Sequence, residues 1–249
     1  MEREEFRVFY QPIVSLTSGE ITGVEALLRW EHPRRGLLEP PEFLSVAEET
    51  GLLIPLGLWV LERSCGHLRG WQEQISTESP LSLSVNLSGK QVLWEDMAQH
   101  VERVLEETGV DGRSLRLEMT ETVMMDDADP ILRVLADLKK LNVSLDIDAF
   151  GIGHSSLRYL HQFPIDSLKI DRSFIANLHT RSESQEIVRT PLALAQNIGV
   201  RVVAEGVETP DELDLLKELN CELAQGHLFS KPIRHDEITP LIGSKRYPV

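Results

Sequence analysis

The sequence predicts an α/β fold of the (β/α)8 barrel type, a sheet of eight strands closed on itself inside a ring of helices. Three observations predict it. Strand-like and helix-like stretches alternate almost without exception, the pattern of repeated βα units. Eight strand-like stretches can be counted. The length of 249 residues, 41% of them hydrophobic, suits one large core of barrel size, with an open doubly wound sheet as the alternative.

The expected strands, in order, are Phe6–Val14, Ile21–Trp30, Leu81–Ser88, Leu115–Glu121, Val143–Phe150, Ser167–Ile175, Arg201–Val207 and Cys221–Phe229. Each carries short apolar runs or alternation bounded by turn residues. The expected helices are Glu42–Glu49, Leu56–Gln74, Trp94–Thr108, Pro130–Leu141, Ser182–Asn197 and Asp211–Leu219. Thr209-Pro210 reads as an N-cap followed by proline at the first helical position, and Asp127 to Asp129 precede Pro130 in the same manner. Pro191 falls inside an expected helix, where it predicts a kink or a split. With no long linker, low-complexity run or internal repeat, residues 1–249 read as one domain.

The formal charge of −15 argues against a nucleic-acid duplex as partner, since phosphate contacts require Lys and Arg. No apolar run approaches the roughly 18 residues of a membrane span, and no signal peptide precedes the first charges. Cys65 and Cys221, far apart in sequence, are expected as reduced core residues of a cytoplasmic protein.

In a barrel, chemistry collects at the C-terminal rim of the strands. Gln11, Glu25, Asn86, Glu118, Asp148, Lys169, Glu205 and Gln225 occupy or approach that position on the eight expected strands. One such residue reads as a satisfied core polar group. Converging carboxylates, by contrast, repel one another and resist desolvation, a conflict that a divalent cation removes. Oxygen donors without thiolates or paired histidines favour Mg²⁺ or Mn²⁺ over zinc. Lys169 is either a salt-bridge partner or a lysine that handles a proton from water, and Arg29 is placed to clamp an anion. These residues suit metal-dependent hydrolysis of a phosphate ester. An enolase-like barrel with a lysine base is about as compatible.

The motifs separate the two. "EALLRW" at Glu25–Trp30 resembles the signature of the EAL domains, bacterial phosphodiesterases of cyclic di-GMP. "YQPIVSL" before it, and "PPEFLSVAEETGLL", "SVNLS", "LEMTET", "DAFGIGHSSL", "LKIDRSFI", "VVAEGVET" and "QGHLFSKP" after it, stand in the family's order across essentially the whole chain. The resemblance implies a modified barrel whose first strand runs antiparallel, and hydrolysis of cyclic di-GMP to linear pGpG with Mg²⁺ or Mn²⁺. It implies that Glu25, Asn86, Glu118 and Asp148 ligate a first metal and that Glu205 helps to hold a metal pair. Lys169 matches the lysine that assists the attacking water, and Arg29 and Gln225 match residues around the phosphates. Gln11 joins them as a substrate-side residue. Glu208 resembles the glutamate that steadies the loop after the fifth family strand. A homodimer, and sensor or diguanylate cyclase (GGDEF) domains elsewhere in a longer signalling protein, are implied by the resemblance alone.

One departure stands out. The family's fifth strand ends in "DDFGTG", whereas this chain has "DAFGIG". Ala149 stands where the second acid would ligate the second metal, and Ile152, His154 and His227 replace a usual Thr, Tyr and Tyr. Ala149 leaves three readings open: a slow or one-metal phosphodiesterase, a receptor that binds without cutting, or an enzyme whose acid has been exchanged to trap substrate.

Overall fold

The computed structural model describes residues 4–75, 80–125, 128–151, 162–176, 178, 182–243 and 246–248. Its strands are β1 (Phe6–Ser15), β2 (Ile21–His32), β3 (Gly36–Leu38), β4 (Ser82–Leu87), β5 (Leu115–Thr120), β6 (Ser144–Phe150), β7 (Ser167–Ile170), β8 (Arg201–Ala204), β9 (Leu223–Ala224) and β10 (Ile233–Arg234). The helices are α1 (Leu44–Glu49), α2 (Leu53–Gln74), α3 (Gly89–Val92), α4 (Met97–Thr108), α5 (Ala128–Lys140), α6 (Arg172–Ile175), α7 (Ser182–Ile198), α8 (Pro210–Glu218) and α9 (His235–Ile238).

Strands β2, β4, β5, β6, β7, β8 and β9 pair in parallel in that order. β1 closes the ring, antiparallel to both β2 and β9. The eight-stranded barrel with a reversed first strand is therefore present. β3 and β10 were not anticipated; they extend β2 and β1 as short antiparallel edges.

The strands' outer faces carry the core. Leu83, Leu117, Leu145, Ile147, Leu168 and Ile170 are fully or almost fully buried, as are Leu61, Cys65, Leu68, Val101, Leu135 and Leu138 on the helices. Each large apolar side chain so buried contributes about 1.5–3 kcal/mol. The bore is polar. Arg116 forks onto Asp146 at 2.7 and 2.8 Å and donates to Ser167 Oγ at 2.7 Å, all three buried. This matched pair keeps its charges satisfied below the rim.

Three expectations change in detail. The sixth expected strand, β7, ends at Ile170, because Asp171 accepts from Ser173 N at 2.8 Å and starts α6. The last barrel strand is only two residues long, and the chain after Gln225 turns away at Gly226. Helix α7 runs unsplit through Pro191. The Thr209 cap is as expected: its hydroxyl accepts from Glu212 N, and the Glu212 carboxylate answers at Thr209 N. Asp127, Ile152 and His154 lie outside the described residues. Cys65 and Cys221 are free and buried, and among the described residues no helix is long and apolar enough to cross a membrane.

Candidate active site at the barrel rim

The strand registers bring the rim residues together. Gln11 on β1 faces Glu25 on β2, and Asn86 on β4 faces Glu118 on β5. Asp148 is set by an irregularity: between Ile147 and Phe150, β6 carries one residue more than β7 opposite it. Such a bulge re-aims side chains at a barrel rim. The residue that absorbs it is Ala149, whose φ of 54° lies in the left-handed region. Asp148 Oδ1 accepts from Ala149 N at 2.8 Å.

At the centre stands Lys169, 1% exposed. Its ammonium lies 2.6 Å from Glu205 Oε1, 2.7 Å from Glu118 Oε2, 3.0 Å from Glu25 Oε2 and 3.9 Å from Asp148 Oδ1. Gln225 Nε2 donates to Glu25 Oε2 at 2.7 Å and to Gln11 Oε1 at 2.9 Å. Gln11 in turn donates to Ser230 O at 3.0 Å. Asn86 Nδ2 donates to Glu25 Oε1 at 2.7 Å, an orientation that leaves its carbonyl oxygen for other partners. All eight residues expected at the rim thus converge.

Four carboxylates around one ammonium leave an excess of negative charge, and the acids register it. Burial raises the Glu118 carboxyl well above its usual range, reinforced by Glu25, Asp148 and Asp146 and opposed by Lys169. Burial likewise raises Glu205 to about 7, with Asp148 and Glu25 adding and Lys169 opposing. At Glu25, burial is outweighed by Lys169, Gln225 and Asn86, which hold the carboxyl below its ordinary value. Burial opposes the charge on Lys169, but the surrounding carboxylates outweigh it and raise the ammonium's pKa well above normal. Among the described residues no three acids already surround a vacant ion position; Lys169 fills the centre. The donor set still suits a hard dication, being oxygen-rich and under-neutralised.

Glu205 titrates at about 7 when folded, against an ordinary value of 4.5. Between those values the folded state binds more protons than the unfolded one, so stability falls as pH rises through the window. Urea midpoints of the metal-free protein are expected to decline from pH 4.5 to 7, and those of Glu205→Gln to decline less. Equal slopes in the two proteins would refute the assignment.

The remaining site candidates sit further out. Arg29, four residues beyond Glu25, is 7% exposed; its Nη1 donates to Leu28 O at 2.9 Å, and the guanidinium lies 5.9 Å from the centre of the Phe9 ring. It does not touch the acidic cluster. Glu208 is exposed, with Oε1 3.7 Å from His227 Nδ1, and it too stands apart from the cluster. A cavity of about 400 Å³ opens beside Glu25, Asn86 and Asp148, walled by Leu28, Leu44 and Leu56. Sequence reasoning missed Ser230 as the anchor of Gln11 and Gly226 as the device that turns the chain behind Gln225. A Cβ at Gly226 would lie 2.1 Å from Val207 O and 2.3 Å from Val207 N. Gly226→Ala is expected to cost at least about 1–3 kcal/mol by overpacking against backbone, read from denaturant unfolding.

Comparison with known proteins identifies the family and the fold. The model of the EAL domain matches residues 1–232. Cyclic di-GMP phosphodiesterase NbdA of Pseudomonas aeruginosa is 41% identical over 92% of this chain and 29% of its own length. The bifunctional diguanylate cyclase/cyclic di-GMP phosphodiesterase MucR of the same organism is 39% identical over 96% of this chain and 34% of its own. The chain therefore spans about a third of these relatives. Among solved structures, a PaMucR phosphodiesterase in complex with c-di-GMP superposes with a TM-score of 0.90 at 39% identity, covering 95% of both chains.

Proposed function

The chain belongs to the EAL domain family, and from that premise we propose that it binds cyclic di-GMP at the rim and hydrolyses it, slowly, to pGpG. The observation that carries the proposal is Lys169 amid Glu25, Glu118, Asp148 and Glu205. Four acids, a lysine and three amides meet there. Relatives named as cyclic di-GMP phosphodiesterases and a neighbour solved with c-di-GMP support the same ligand.

In this reading Glu25, Asn86, Glu118, Asp148 and Glu205 would hold Mg²⁺ or Mn²⁺, which would supply neutralisation of the phosphate charge and a more acidic attacking water. Lys169 keeps its proton at Nζ, held there by the carboxylates, and would turn an N–H to that water once a cation draws one of those carboxylates away. Arg29 approaches the phosphate from four residues beyond Glu25, and Gln225, itself held by Gln11, fixes the Glu25 carboxylate. Water oxygen bonds to phosphorus and gives up a proton, the bond to the 3′ oxygen breaks, and that oxygen takes up a proton, so that the net proton transfer is from the water to the leaving group. Glu208 acts outside this centre, on the loop it shares with Thr209.

A second reading, a receptor that binds without cutting, is favoured by one observation: the bulge presents a methyl group at Ala149, where the family pattern has an acid. Both readings require saturable binding of cyclic di-GMP, which an enolase-like barrel would not show. Arg29→Ala is expected to weaken that binding about 10- to 100-fold through loss of charge-assisted hydrogen bonds. Calorimetric titration checks it. Absence of binding by the parent chain sinks both readings.

A further inference from the structure

A second cavity enters the barrel from the opposite end. It encloses about 450 Å³ and is lined by Thr22, Ser82, Ser84, Arg116, Glu118 and Arg201 among others. Glu118 lines this basal cavity and is absent from the lining of the rim cavity. Its carboxylate is divided: Oε2 takes the Lys169 ammonium, while Oε1 is buried without a hydrogen-bond partner. Ser84 Oγ is the other unpartnered buried atom along this cavity, on a residue only 1% exposed.

The register relates the two atoms. Ser84 on β4 pairs with Arg116 on β5, and Glu118 is two residues further along β5 on the same inward face. Ser84 and Glu118 are therefore diagonal neighbours, roughly 7–8 Å apart at their backbones. They make no hydrogen bond to each other, and their spacing suits a single bridging molecule. Buried hydroxyls and carboxylates are almost always satisfied, and where protein supplies no partner a polar cavity of this size holds water. Nearby charges do not substitute: Arg116 is engaged by Asp146 and Ser167, and Lys169 by the acids above it.

We infer that an ordered water in the basal cavity bridges Ser84 Oγ and Glu118 Oε1, making Ser84 a positioning residue for Glu118 from below the site. The water holds one oxygen of Glu118 and fixes the orientation of the other. Its effect on cation binding rests on the function proposed above; its presence does not.

Two measurements on the full chain separate these parts. Magnetic relaxation dispersion of the metal-free protein counts long-lived internal waters. The count is expected to fall by at least one in Ser84→Val, which replaces the hydroxyl with apolar bulk, and to hold in Ser84→Thr. An unchanged count in Ser84→Val overturns the inference. Titration with Mn²⁺ alone is expected to show binding weakened about 3- to 10-fold in Ser84→Val and Ser84→Ala and restored in Ser84→Thr, the scale of one hydrogen bond. Affinity that ignores Ser84 while the water is lost overturns the positioning role. If the parent takes up no Mn²⁺, the metal reading fails, and the water count alone decides the bridge.

Discussion

Ala149→Asp is expected to raise the turnover of cyclic di-GMP by about 10²- to 10⁴-fold in Mg²⁺ or Mn²⁺. An anionic ligand that secures a second cation stabilises developing charge by several kcal/mol, and each 1.36 kcal/mol is tenfold in rate. The backbone favours this substitution. Position 149 is the extra residue of the β6 bulge and sits at φ 54°. That conformation strains alanine, whereas Asp and Asn occupy it far more readily. The aspartate therefore enters a geometry already suited to it, and the variant should lose no stability. Ala149→Asn separates the causes, because it relaxes the backbone equally and supplies no charge. The readout is pGpG formed per unit time. Fast turnover by Asp alone assigns the deficit to the missing charge. Turnover absent from every variant, with binding intact, establishes the receptor reading instead.

Lys169→Met is expected to destabilise the metal-free protein by roughly 3–5 kcal/mol, the usual cost of leaving buried charges without their partner. Four carboxylates lie within 4 Å of the ammonium, and methionine fills the space without neutralising them. The sign with pH follows. Acids whose folded pKa is raised bind more protons when folded, so the variant should be least stable at high pH and recover on acidification. Mn²⁺ should return part of the loss, since a ligand bound only by the folded state stabilises it by mass action. Denaturant unfolding at pH 5 and pH 8, with and without Mn²⁺, checks all three statements. A variant as stable as the parent at pH 8 would show that the cluster is neutral without its lysine.

The alternation of apolar and polar residues made the strands legible, and the rim positions followed from them. Glu25, Glu118 and Lys169 could be placed because each is flanked by apolar neighbours near the end of a strand. What sequence could not convey was depth. Arg116 and Asp146 alternate as solvent-facing residues would, yet they form a buried pair inside the bore. Period-two patterning cannot distinguish water from a polar barrel interior. The end of β7 was also misread, because Ser173, Phe174 and Ile175 suit a strand as well as a short helix. The Asp171-x-Ser173 cap was the available signal. The strained backbone at Ala149 left no trace in composition, since alanine, unlike Gly, Asn or Asp, does not signal a positive φ.

The reversed first strand also decides where the chain is threaded. Phe6 pairs with Trp30 at the mouth of the barrel, and Arg7 pairs with Arg29. At the other pole Arg246 bridges Glu20, and Tyr247 N donates to Gly19 O beside the first turn. Were β1 parallel to its neighbours, Phe6 would begin at the floor instead. As built, a leash joined ahead of Phe6 starts within a few residues of Arg29, whereas cargo joined after Tyr247 hangs beneath. A steric gate over the mouth is therefore easiest to build from the amino-terminal side. An affinity handle intended to leave the mouth clear belongs at the carboxyl-terminal side.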